Sequence, residues 1–397
     1  MKKAATFSLV CFASILTIAD AAAATVSYTR IAATGSQFVS LGGNPSINNN
    51  GILVFSAGNA PVGPMPNGGN SINVGSGAGA TQIAESLVEF SSLGPASIND
   101  QNQVIFRGQK RLPPGSFPSA PSLIYVNTNG VSGAASSIPS TSGNINFSIN
   151  DTGDIAFAEL QVSPDVRFTV NRVIGGATGE VVNSDGELSS FGRPIINNAG
   201  DIIFRETFDP DANDNQFRRL TLFSKGEYST IADAAGEFSG FGFYALNDVG
   251  AIAFEAALDD GGSFIYLYEN GVTTPIFDSS SSASTLGQLS INNNGDVLFG
   301  RGTDGGVLKI FLYSGGSLIT LLSSGDVLDG LVVQSMSLGA DALNDKGEFA
   351  FGVRFSDFSQ AIYRGIIGST SAVPLPAALP LFLLGVAGLA VRRRAVS

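Results

Sequence analysis

Ser46-Ile47-Asn48-Asn49-Asn50-Gly51-Ile52-Leu53-Val54-Phe55 is one of seven versions of a single phrase, and its recurrence decides the architecture. The phrase returns around Asn99, Asn150, Asn197, Asn247, Asn292 and Asn344, at steps of 51, 51, 47, 50, 45 and 52 residues. The residue after each of these asparagines is Asn or Asp: Asn49, Asp100, Asp151, Asn198, Asp248, Asn293 and Asp345. Three positions on stand Gly51, Asn102, Gly153, Gly200, Gly250, Gly295 and Gly347, and seven positions on stands a phenylalanine in every copy, from Phe55 to Phe351. Seven matches at four positions do not arise from composition.

The pattern has the physics of a hairpin turn. An Asn side chain at the first position bonds to backbone amides just beyond it, and the fourth position wants a positive φ, which glycine adopts without steric cost. Asn102, the one substitute, is the residue type that best tolerates the left-handed region. After each turn comes a short run such as Asp201-Ile202-Ile203-Phe204, apolar at consecutive positions and therefore buried on both faces. Five residues before the asparagine stands Gly43, Gly94, Gly192, Gly242, Gly287 or Gly339, with Ile145 the departure, which points to close backbone approach where strands crowd.

A second hairpin follows in each unit. Phe264 to Tyr268, then Glu269-Asn270-Gly271, then Val272 to Ile276 is the clearest, and Asn129-Gly130, Lys225-Gly226 and Gly315-Gly316 repeat the theme. Four short strands in about 50 residues match a β-propeller blade, whereas a parallel β-helix rung is about half as long. The last copy ends after its third strand, from Gln360 to Gly365, while Val26 to Ala32 aligns with the fourth strand Tyr228 to Ala232 of an inner copy. One end supplies what the other lacks, so the reading is an all-β, seven-bladed β-propeller closed by its N-terminal strand, in preference to two stacked sandwiches.

Both ends lie outside that ring. Residues 1–24 have the layout of a signal peptide: Lys2-Lys3, an apolar stretch, then Ala21 to Ala24. Cys11, the chain's single cysteine, falls inside it, so the exported part carries no thiol. At the other end, the 18 residues from Pro374 to Val391 are apolar and precede Arg392-Arg393-Arg394. As a helix they span about 27 Å, barely enough to cross a bilayer, with the arginines cytoplasmic. The expected organisation is 1–24 signal peptide, 25–370 propeller and 371–397 C-terminal sorting signal with a transmembrane helix. Without Lys2, Lys3, the three arginines and Asp20, the net charge moves from −12 to about −16, an acidic surface that excludes nucleic acid as a partner. A monomer is the expected state.

The pentapeptide Val373-Pro374-Leu375-Pro376-Ala377, with its apolar run and arginines, resembles the bacterial VPLPA-CTERM sorting signal, a relative of the PEP-CTERM signals. That resemblance implies an exosortase-type sorting protease as partner, transient anchoring in the inner membrane with a cytoplasmic C-terminus, and display at or release from a Gram-negative cell surface, often into extracellular matrix. The repeats resemble the NxxGxxAF tandem-repeat family of exported bacterial proteins, although Val54, Ile105, Ile203 and Leu298 stand where that pattern has alanine. The family brings no catalytic residues to carry over.

The absence of histidine excludes Ser-His-Asp and Cys-His catalysis and His-ligated zinc. Asn48, Asn99, Asn150, Asn197, Asn247, Asn292 and Asn344 offer oxygens to a metal, but turn chemistry accounts for all seven. They are also similar to the Asp-box turns of sialidases, with Asn in place of Asp and no Trp, which argues against that activity. The best cation candidate is the loop with Asp209, Asp211, Asn213 and Asn215, whose alternating oxygens suit calcium, although Leu220 stands where an EF-hand has its closing Glu. A solvated acidic loop between two strands is the simpler account. Gly75 to Ala80 is glycine-rich but lacks the lysine of a phosphate loop. The expectation is a non-enzymatic surface or matrix propeller without a cofactor that binds an extracellular polysaccharide or surface protein. The alternatives are a carbohydrate-active hydrolase or lyase using Asp and Glu, and a calcium-dependent adhesin.

Overall fold

The computed structural model describes residues 25–368 except 62–67, 78, 114–119, 136–145, 162–166, 185–187, 209–216, 281–286 and 304. The segments read above as a signal peptide and a sorting tail lie outside the described residues. Within them the chain forms seven antiparallel sheets and no helix. The sheets follow one another around a closed ring, each packed on the next, and the seventh meets the first through Ser46–Ile47 against Glu348–Phe355. The expected seven-bladed propeller is what the chain builds.

The ring closes as the strand count demands. Val26–Ala33 pairs antiparallel with Gln360–Ile367, from Val26 opposite Ile367 to Ala33 opposite Ala361, and so completes the seventh blade. The first and last described residues meet there, with the Gly368 N–H donating to Thr25 O at 2.8 Å. This swap leaves no blade with a missing outer strand.

Each repeat residue has the place its chemistry requires. The fourth turn position has φ between 60° at Asn102 and 86° at Gly153, so every copy uses the left-handed region. The seven phenylalanines are at most 2% exposed. Each apolar cluster draws on neighbouring sheets; Ile203 and Leu220 of the fourth blade pack with Phe241 and Phe254 of the fifth. A Cβ on Gly287 would fall 2.2 Å from Leu338 O, and one on Gly339 would fall 2.3 Å from Pro45 O, so these glycines let adjacent blades touch by backbone. The second hairpins turn on pairs of positive φ, as at Asn270 (52°) and Gly271 (81°), and Gly175-Gly176 adds a pair that the sequence reading passed over.

In a four-stranded meander, the first and third connections emerge on one face of the ring and the second and the inter-blade connections on the other. The Asn turns and tight hairpins therefore share a compact turn face, and the longer connections form a loop face. Both ends of the ring, Thr25 and Gly368, lie on the turn face.

Two outcomes follow. Deleting residues 25–33 strips the outer strand from Gln360–Ile367, and the protein should lose its cooperative melt and aggregate on size-exclusion chromatography. Phe254→Ala empties a fully buried site and should cost about 3–5 kcal/mol in denaturant unfolding.

Candidate functional site

The seven asparagines surround the axis at the turn face, and their side chains work in two directions. Toward its own turn, each Oδ1 accepts the backbone N–H four residues on, as from Ile52 to Asn48 (3.0 Å) and from Ala251 to Asn247 (2.7 Å). Toward the next blade, each Nδ2 donates to the backbone carbonyl of the next asparagine: Asn48 to Asn99, Asn99 to Asn150, Asn150 to Asn197 and Asn197 to Asn247. Asn247 to Asn292, Asn292 to Asn344 and Asn344 to Asn48 complete the circle, all at 2.8–3.2 Å. All seven asparagines are 3–4% exposed.

A second ring lies beside the first. The N–H of each following residue donates to Oδ1 of its counterpart one blade on: Asn49 to Asp100, Asp100 to Asp151, Asp151 to Asn198 and Asn198 to Asp248. Asp248 to Asn293, Asn293 to Asp345 and Asp345 to Asn49 close it, with all seven distances at 2.6–2.8 Å. The invariable Asn or Asp after each turn asparagine was the sequence signal for this ring. Only these two residue types place an acceptor at that reach, and serving as a turn residue did not explain the restriction.

Beneath the asparagines, between their pocket and a second one on the loop-face side, the axis is crossed. Arg193 of the fourth blade and Asp341 of the seventh, 148 residues apart, form an ion pair at 3.2 Å. Ser97 of the second blade donates to the same carboxylate oxygen at 2.6 Å, and Arg193 Nε donates to Phe147 O of the third at 2.9 Å. Tyr244 donates its hydroxyl to Arg193 O at 2.5 Å, and burial pushes that phenol up to about 12, so it stays a donor at any physiological pH. Arg193 Nη1 is buried without a hydrogen-bond partner among the described residues. These groups, with Asn44, Asn146 and Gln288, line a small funnel of about 110 Å³. Sequence reasoning missed Arg193 and Asp341 because neither belongs to the repeat.

A third feature lies away from the axis. Between the third and fourth blades, Val182, Glu206, Arg219, Thr221 and Tyr228 line a cavity of about 380 Å³. The Glu206 carboxylate, 3% exposed, accepts from Arg219 Nε at 2.6 Å and from the Thr221 hydroxyl at 2.7 Å.

The structure thus unites the seven predicted turn asparagines at one mouth of the axis. The oxygens that suggested metal ligation accept backbone hydrogen bonds instead. Asp209, Asp211, Asn213 and Asn215 lie outside the described residues, as do Val373, Pro374, Leu375, Pro376 and Ala377. Among the described residues no three His, Cys, Asp or Glu side chains gather as a metal-binding group.

No protein-family model and no curated protein matches the chain. Solved structures share its fold. An oligogalacturonate lyase from Vibrio parahaemolyticus is 14% identical, with a TM-score of 0.52 over 88% of this chain and 99% of its own. A Pyrococcus horikoshii acylaminoacyl peptidase is 13% identical, with a TM-score of 0.53 over 82% of this chain and 51% of its own. A puromycin-hydrolysing peptidase from Mycobacterium tuberculosis is 10% identical, with a TM-score of 0.54 over 86% and 55%. Identities this low establish the common propeller fold and nothing about activity.

The asparagine ring makes a specific demand on chemistry. Asn247→Asp keeps the acceptor for Ala251 N–H but sets an oxygen against the Asn292 carbonyl. It should destabilise the protein by about 1–3 kcal/mol at neutral pH in chemical denaturation.

Proposed function

We propose that the chain is an exported β-propeller of the bacterial cell surface or matrix that acts by binding, with the loop face as its recognition surface. The observation that carries this reading is the occupied axis. An enzyme working in a central funnel needs carboxylates free to reach a bound substrate. Here the axial carboxylates of Asp100, Asp151, Asp248 and Asp345 accept main-chain hydrogen bonds, and Asp341 is bound to Arg193 and Ser97. The exported region's net charge of about −16 favours neutral glycans, or basic surface proteins, over acidic polymers.

The proposed anchor agrees with this orientation. A sorting tail leaving after Gly368 starts from the turn face, so a membrane-held propeller presents its loop face outward. The exosortase-type protease and the VPLPA signal belong to the same proposal, resting on Val373 to Ala377.

The competing reading is a carbohydrate lyase or hydrolase acting through Asp and Glu, possible on a fold that an oligogalacturonate lyase also uses. A panel of neutral and uronate polysaccharides separates the two. Binding without chain shortening, and without the ultraviolet absorbance of an unsaturated uronate, is expected; product formation would replace the binding reading with the catalytic one. A calcium-dependent adhesin is the third reading. Chelator should leave the melting temperature unchanged, and a fall that Asp211→Ala abolishes would assign calcium to the 209–215 loop.

A further inference from the structure

Around the axis the second ring reads Asn49, Asp100, Asp151, Asn198, Asp248, Asn293, Asp345. A carboxamide donates through Nδ2 while an ionised carboxylate only accepts, so neighbours satisfy one another when the two alternate. An odd ring cannot alternate throughout. Two like residues must meet, and here they are Asp100 and Asp151.

The hydrogen bonds follow this parity. Asn49 Nδ2 donates to Oδ2 of Asp100 (2.7 Å) and of Asp345 (2.9 Å). Asn198 donates to Oδ2 of Asp151 (2.6 Å) and of Asp248 (2.9 Å), and Asn293 to Oδ2 of Asp248 (2.9 Å) and of Asp345 (3.0 Å). Among the described residues, Oδ2 of Asp248 and of Asp345 thus receives two amide donors, whereas Oδ2 of Asp100 and of Asp151 receives one each. The missing donor belongs between the last two.

We propose that Asp100 carries a proton in the folded protein and donates it to the Asp151 carboxylate, an acid–carboxylate hydrogen bond that supplies the donor the odd ring lacks. A proton is the smallest group that converts an acceptor into a donor without displacing the backbone bonds each Oδ1 already holds. The surroundings favour it. Burial raises the Asp100 carboxyl most, the amides of Asn49 oppose that rise, and the charges of Asp151 and Asp345 add to it. The packed turns contribute Asn50, Gln101, Gln103, Thr152 and Asn198 as neutral groups, and Asp154, Asp201, Asp248, Asp296 and Glu348 as acids. Lys346 is the one basic residue within the seven turns, Arg364 donates to Gly51 O of the first turn at 3.1 Å, and Asp341, paired with Arg193, lines the same axial pocket.

The sign of the pH dependence follows. A proton held more tightly by the folded than the unfolded chain gives stability that is complete below the unfolded value, about pH 4, and is lost as the pH rises through the folded value. The test is thermal melting of the protein and three variants from about pH 4 to neutrality. Asp151→Asn removes the acid pair and moves the like junction to Asn198, whose amide then faces an amide, so the test reads the pH dependence of the difference: its melting temperature relative to the parent should rise by on the order of 2 °C from about pH 4 to neutrality. Asp100→Asn removes the other half of the pair, moves the like junction to Asn49 and should show the same rise, so one well-folded variant suffices. Asp248→Asn removes an acceptor that already holds two amides and should melt below the parent at neutral pH. The proposal falls if Asp151→Asn and Asp248→Asn shift the melt in the same direction by amounts independent of pH. It also falls if added calcium raises the parent's melting temperature at neutral pH but not that of Asp151→Asn, because the junction then holds a cation.

Discussion

The closed circle of asparagine carboxamides is the constraint on which the rest depends. Each side chain fixes its own turn through Oδ1 and the next blade through Nδ2, so local conformation and global assembly are set by the same atoms. No blade can satisfy its asparagine alone. The sheets add the energy: a run such as Ile252-Ala253-Phe254 is buried because neighbouring blades cover both of its faces. Hydrogen bonds set the spacing near the axis, and apolar area drives the wedge-shaped sheets against one another farther out.

Much of this was legible because repetition converts tertiary structure into sequence periodicity. Asn48 and Gly51 announced a turn from local chemistry alone, and Val26 to Ala32 announced closure because it matched a strand the last copy lacked. The asparagine ring was not legible, although its members were. For six of the seven the carboxamide's second partner lies 45–52 residues along the chain, for Asn344 it lies 296 residues away, and turn propensity is blind to such distances. Arg193 and Asp341 were hidden for the opposite reason, since each breaks the repeat and its partner lies three blades away. The loop with Asp209 to Asn215 read as acidic and extended, and its geometry lies outside the described residues.

The division of labour between the two faces bears on where specificity can evolve. The turn face is held by two hydrogen-bonded rings in which nearly every polar atom has a set partner, so substitutions there carry structural cost. The loop face contains the longer connections, whose sequences differ from blade to blade. A rigid ring that presents unlike loops from seven nearly equivalent sockets can change its ligand without changing its frame.

The place where the chain leaves the ring has a mechanical meaning. Gln360–Ile367 is held by Glu348–Phe355 on one side and Val26–Ala33 on the other, and the chain continues from its turn-face end. Under the proposed anchoring and binding, tension between a ligand on the loop face and a tether beyond Gly368 would run along that strand. Two ladders of backbone bonds then resist in shear, yielding together rather than opening rung by rung like a zip.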